Sequence, residues 1–89
     1  MGQLLENLSA EERVTIVERA FRSYVGRRRM PKFWTDEQMR RFLIVEHPVS
    51  TLDQARQALV DLVGDDKAPS RSAIQRFWHS LDQFWRAQR

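Results

Sequence analysis

The sequence contains no cysteine, and it has only three glycines, three prolines and two histidines among its 89 residues. Without thiols it can form neither a disulfide framework nor a thiolate zinc site. The glycines are isolated from one another, which excludes a glycine-rich phosphate-binding loop. His47 and His79 lie on separate predicted elements and do not make a metal-binding spacing such as H-E-x-x-H. These absences argue against an enzyme, and we predict no metal and no cofactor.

Long apolar runs are also missing. No stretch approaches the roughly 20 apolar residues that cross a bilayer, and Met1 to Leu8 lacks the basic segment followed by an apolar stretch that marks a secretory signal. We therefore expect a cytoplasmic protein without membrane contact. The length of 89 residues suits one domain, which we place at residues 1–89.

No segment alternates like a strand, whereas four segments have helical periodicity. The first helix begins with a capping box from Ser9 to Glu12, and a second S/T-x-x-E/Q pattern, Thr35 to Gln38, predicts the start of helix 2. The apolar positions of helix 1 recur at helical spacing: Val14, Val17, Phe21 and Tyr24. The corresponding stripe of helix 2 consists of Met39, Phe42 and Leu43.

The C-terminal half contains the other two helices. Ser50 or Thr51 caps helix 3, Gly64 ends it, and Ser70 caps helix 4. The apolar face of helix 3 is Leu52, Ala55, Leu59, Leu62 and Val63, and that of helix 4 is Ala73, Ile74, Phe77, Leu81 and Phe84. The prediction is a compact all-α domain of four helices with a helix-turn-helix-like C-terminal pair.

Charge is unevenly distributed along the chain. Thirteen Arg and two Lys stand against 12 acidic residues, a net charge of +3. A high arginine content is equally typical of a GC-rich genome, so the positions of the charges carry more weight than their sum. Basic residues dominate 22–41 and the segment from Lys67 onward, while helix 1 and residues 53–66 hold most of the acids. This segregation indicates an anionic partner for part of the surface.

Residues 51–79 form a helix, a turn and a second helix. The run from Ser70 to Phe77, S-R-S-A-I-Q-R-F, resembles the start of the recognition helix in helix-turn-helix DNA-binding proteins of phages and mobile elements. The connecting turn is longer than in the standard motif. The resemblance implies that helix 4 enters the major groove of double-stranded DNA. We also expect a homodimer, because small regulators commonly bind two half-sites.

The outer face of helix 4 has suitable chemistry for that role. It carries Arg71, Ser72, Gln75, Arg76 and His79. Arginine pairs bidentately with guanine and glutamine with adenine, and the free N–H groups near Ser70 suit a phosphate. An ordinary amphipathic surface helix would show much the same outer face, and that alternative stays open.

A second basic cluster precedes helix 2. Arg27, Arg28, Arg29 and Lys32 are flanked by Tyr24, Phe33 and Trp34. Arginines interleaved with aromatic rings can hold a phosphate backbone or stack on bases. The alternative is a solvated basic loop whose aromatic rings fill the core.

Trp78 and Trp85 lie seven residues apart on one edge of helix 4, where they either belong to the core or form a surface for self-association. We predict a sequence-reading DNA-binding protein, a regulator of transcription or of a mobile element. The alternative is a small adaptor or phage-type inhibitor whose basic and aromatic surface binds an acidic protein.

Overall fold

Four α-helices and one short 3-10 helix make up the part of the chain that the computed structural model describes, residues 8–26, 30–47 and 49–88. The α-helices are α1 (Ala10–Val25), α2 (Glu37–Glu46), α3 (Leu52–Val63) and α4 (Arg71–Ala87), and the 3-10 helix Lys32–Thr35 precedes α2. These residues contain no β-strand. The prediction of an all-α domain of four helices is confirmed.

Side-chain caps fix where all four α-helices begin, and three of these caps lie where the sequence predicts them. Ser9 and Glu12 form the predicted capping box of α1: the Glu12 N–H donates to Ser9 Oγ at 3.1 Å, and the Ser9 N–H donates to Glu12 Oε1 at 2.8 Å. Thr51 and Gln54 make the equivalent box at α3. Ser70 Oγ accepts from the Ala73 N–H at 3.1 Å and so begins α4 where the sequence places it.

The predicted capping box from Thr35 to Gln38 is wrong. Thr35 is the last residue of the 3-10 helix, and Asp36 takes the N-cap position of α2 because its Oδ1 accepts from the Met39 N–H at 3.1 Å. Aspartate caps helices as well as a hydroxyl side chain does. The 3-10 helix therefore ends directly before the N-cap of α2.

Gly26 and Gly64 end α1 and α3 with φ angles of 84° and 92°. Residues with a Cβ rarely adopt this backbone region, so each glycine stops its helix at low steric cost.

The core is centred on Phe21, whose side chain is 0% exposed. Its ring stacks on Trp34 at 5.5 Å between centroids and meets Phe77 and Phe84 edge-on at 5.4 and 5.7 Å. These contacts join α1 to the 3-10 helix and to α4. The buried apolar residues are Val14, Val17, Phe21, Phe33, Met39, Leu43, Ile44, Ala55, Leu59, Ile74, Phe77, Leu81, Phe84 and Trp85.

Two side chains of the predicted apolar faces are largely exposed. Tyr24 is 45% exposed, although its ring still meets Phe84 edge-on. Leu62 is 47% exposed because the fully buried face of α3 is narrow and consists of Ala55 and Leu59.

Polar contacts fix α2 in place beside α1 and α4. The Arg40 guanidinium donates to Glu18 at 2.7 Å and to the Trp34 carbonyl at 2.8 Å. Trp78 Nε1 donates to the Leu43 carbonyl at 3.1 Å, which joins α4 to α2. None of the helices in the described ranges has both the length and the apolar character needed to cross a membrane.

Candidate nucleic-acid interface

An open groove separates one side of α4 from residues 30–32. The α4 residues that line it extend from Ser72 to Gln83, so the groove follows about three turns of the helix. The predicted site residues that it brings together are Lys32, Ser72, Gln75, Arg76 and His79. Lys32 belongs to the basic cluster before α2 and is distant in the sequence from the outer face of α4. The two nevertheless line one concave surface.

The groove is electropositive, and both polar and apolar side chains line it. None of the described residues that line it is an aspartate or a glutamate. Lys32 and Arg76 are both exposed, and neither forms an ion pair within the described part of the chain. Arg40 and Arg41 differ, since each is paired with a carboxylate of α1. Lys32 and Arg76 consequently offer positive charge to an external anion.

Aromatic rings contribute little to the exposed lining. Phe21 and Phe77 line the groove but are only 0% and 3% exposed. The groups available to a ligand at this point are guanidinium, ammonium, amide, hydroxyl and imidazole, beside the partly buried apolar side chains of Met30, Pro31 and Ala73. They suit hydrogen bonding to base edges and phosphates better than they suit stacking on unpaired bases.

Ser70 and Arg71, two further predicted site residues, lie outside this groove. With Asp53, Arg56 and Gln57 they line a smaller hollow between α3 and α4. Ser70 Oγ is engaged as the cap of α4, and Arg71 Nε donates to Asp53 Oδ1 at 2.7 Å. Arg71 is thus paired with a carboxylate in the free protein, whereas Arg76 is not paired with any described residue.

Residues 64–70 connect α3 to α4, a longer link than the three- to four-residue turn of a standard helix-turn-helix. Arg56 ties this link to α3, because its Nε donates to the Pro69 carbonyl at 3.3 Å and its Nη2 lies 3.5 Å from Asp65 Oδ1. The connection is held by specific contacts despite its length.

The predicted cluster Arg27, Arg28 and Arg29 lies outside the described residues. Their assignment to phosphate contact stays a prediction from the sequence. They directly precede Met30, which lines the groove.

The far end of the groove was not predicted from the sequence. Ser80 and Gln83 line it, and Gln83 Nε2 lies 3.3 Å from His79 Nε2. Gln83 could have been found from its spacing, because it follows His79 by one helical turn on the same face. Met30 and Pro31 form the opposite side, and no periodic signal in the sequence pointed to them.

The two tryptophans of helix 4 belong to the interior. Trp85 is 6% exposed and part of the core, and Trp78 is half-buried with its indole N–H bonded to Leu43. Of the two roles considered for this pair, the core role is the one observed.

No protein-family model, curated protein or solved structure matches this chain. Within the described ranges, no group of three or more His, Asp or Glu side chains could hold a metal ion.

Proposed function

We propose that this chain is a small DNA-binding protein of the helix-turn-helix type that contacts duplex DNA through α4 and residues 30–32. The observation that carries the proposal is the groove in which Lys32 lies together with Ser72, Gln75, Arg76 and His79, with no carboxylate among its described lining residues. Such a surface attracts an anion and presents hydrogen-bonding groups at helical spacing.

Duplex DNA is the anion that these groups fit best. The major groove of B-DNA is about 12 Å wide and admits an α-helix, and α4 forms one wall of the protein's groove with Gln75, Arg76 and His79 exposed on it. Arg76 can donate bidentately to guanine and Gln75 can pair with adenine, while Lys32 at the other side of the groove meets the phosphate backbone. The near-complete burial of Phe21 and Phe77 disfavours single strands, which bind by stacking on exposed rings.

The proposal extends to the biological role given by the resemblance. The chain would act as a regulator of transcription or of a mobile element in the cytoplasm. A homodimer would place two copies of α4 in half-sites about 34 Å apart on a palindromic operator. Analytical ultracentrifugation with and without a palindromic duplex tests the dimer.

The test of DNA binding is an anisotropy titration of labelled duplex at several salt concentrations. The groove variant Lys32→Ala/Arg76→Ala is compared with Arg19→Ala/Arg86→Ala, which removes the same charge from exposed positions outside the groove. We expect the groove variant to bind about tenfold more weakly or worse and the control variant to stay close to wild type.

Two results would contradict the proposal. Equal reductions of affinity in both double variants would show that the groove is not the binding surface. No binding by the wild type even at low salt would exclude DNA, and the electropositive groove would then indicate the adaptor function with an acidic protein as partner.

A further inference from the structure

Arg71 and Asp53 form an ion pair at the edge of the proposed DNA surface. Arg71 is the first residue of α4 and directly precedes Ser72, which lines the groove. Arg71 Nε lies 2.7 Å from Asp53 Oδ1, and the two side chains are 59% and 78% exposed. An ion pair exposed to water contributes little to stability, so Arg71 can exchange Asp53 for another anion at low cost.

The pair differs from the other arginine contacts of the fold. Arg40 is only 19% exposed and bonds both Glu18 and the Trp34 carbonyl, so it is built into the structure. Arg56 bonds the Pro69 carbonyl and fixes the link between α3 and α4. Among the described residues, Arg71 donates to Asp53 alone. Its contact can therefore be released without disturbing the fold.

We infer that Asp53 is an electrostatic brake on the DNA surface, because its carboxylate holds the Arg71 guanidinium away from the phosphate backbone. This inference rests on the proposed function. A phosphate that approaches Arg71 must displace the Asp53 carboxylate from the guanidinium. Since phosphates are the same in every sequence, Asp53 lowers the affinity for all duplexes alike. It acts through Arg71 and is a positioning residue.

The test is Asp53→Asn, alone and combined with Arg71→Ala, in salt-dependent anisotropy titrations with specific and scrambled duplexes. We expect Asp53→Asn to bind both duplexes about three- to tenfold more tightly. The plot of log K against log salt should become steeper by about one unit, because one more cation contacts phosphate. Adding Arg71→Ala should abolish both changes. A purely structural role of Asp53 would not change the salt dependence.

The matched control is Asp61→Asn, which removes the same charge from α3, where Asp61 accepts a hydrogen bond from Gln57 rather than from a cation. Asp61→Asn should change affinity far less than Asp53→Asn. The circular dichroism spectra of all variants are compared first, so that a loss of helix is recognised.

Three results would contradict the inference about Asp53. They are no response to Asp53→Asn, an equal response to Asp61→Asn, and an increase in affinity that persists in the Asp53→Asn/Arg71→Ala variant. If the wild type binds duplex and Asp53→Asn changes neither the affinity nor the salt dependence, the inference about Asp53 is wrong and the proposed function stands. If neither protein binds even at low salt, both fail.

Discussion

His47 Nε2 lies 2.9 Å from Asp82 Oδ1, and this contact joins the end of α2 to α4 at a residue that does not line the groove. The His47 side chain is 7% exposed, and its ring meets Trp78 edge-on at 5.7 Å between centroids. Its Nδ1 is buried without a hydrogen-bond partner among the described residues. The position of α4, and with it the geometry of the groove, therefore depends on a buried titratable group.

We expect the free energy of unfolding to decrease as the pH falls below about 6.5, the ordinary pKa of histidine in an unfolded chain. Burial lowers the pKa of His47 and Arg13 lowers it further, while Asp82 only partly opposes this shift. The folded state thus binds fewer protons than the unfolded state, so stability is complete above pH 6.5 and is lost towards the lowered folded pKa. Urea unfolding at about pH 7.5 and 5.5 measures the difference.

Two variants assign this pH dependence to His47. Asp82→Asn removes the carboxylate that raises its pKa and should make the loss of stability at low pH larger. His47→Gln, which removes the titratable ring, should abolish this pH dependence. A pH dependence that Asp82→Asn reduces would show that the sign of the shift is wrong.

Leu59 and Leu62 allow a matched test of the core on one helix. Leu59 is 0% exposed and Leu62 is 47% exposed. Leu59→Ala should lower the free energy of unfolding by about 2–5 kcal/mol, because it leaves a cavity in the core. Leu62→Ala should lower the free energy of unfolding by well under half as much as Leu59→Ala. Urea denaturation curves measure both, and equal costs would contradict the observed packing of α3.

Asp36 and Thr35 allow a similar test of the start of α2. Asp36→Ala removes the side chain that caps the helix and should cost about 1 kcal/mol of stability. Asp36→Asn should keep most of this stability, since asparagine also caps helices. Thr35→Ala should be close to neutral, because the exposed Thr35 side chain makes no capping bond. A larger destabilisation by Thr35→Ala than by Asp36→Ala would instead support the capping box from Thr35 to Gln38 that the sequence predicted.

Much of the fold could be predicted from local signals. Capping residues and helical periodicity located α1, α3 and α4, because hydrogen bonds within one turn decide where a helix begins. The start of α2 could not be located to the residue, since Thr35 and Asp36 are adjacent and both can cap. The 3-10 helix, held by packing of Phe33 and Trp34 against Phe77, has no comparable local signal.

The candidate site was only partly predictable, because some of its contacts depend on packing between helices and not on local signals. Helical spacing identified Ser72, Gln75, Arg76 and His79 as one face, and the structure places all of them in the groove. Which arginines would be occupied by carboxylates could not be derived from the sequence. The pair Arg71–Asp53 joins residues 18 positions apart, and the contact depends on how α3 packs against α4.

The two sides of the groove should contribute differently to DNA binding. Arg76→Ala or Gln75→Ala should lower the preference for the specific duplex by about 1–3 kcal/mol, because each substitution removes one bidentate pairing with a base. Lys32→Ala should instead weaken binding to specific and scrambled duplexes alike and make the salt dependence shallower by about one unit. The reason is that base edges differ between sequences whereas phosphates do not.

The control for this comparison is Arg86→Ala, which removes the same charge near the other end of α4 and outside the groove. It should preserve the sequence preference and have a smaller effect on affinity than Arg76→Ala. The measurement is an anisotropy titration of each variant against both duplexes at several salt concentrations. If Arg76→Ala and Gln75→Ala weaken both duplexes by one common factor, α4 contacts only the backbone and does not read bases. If Lys32→Ala alters the preference between the duplexes, residues 30–32 contact bases, and the orientation of α4 in the major groove must be revised.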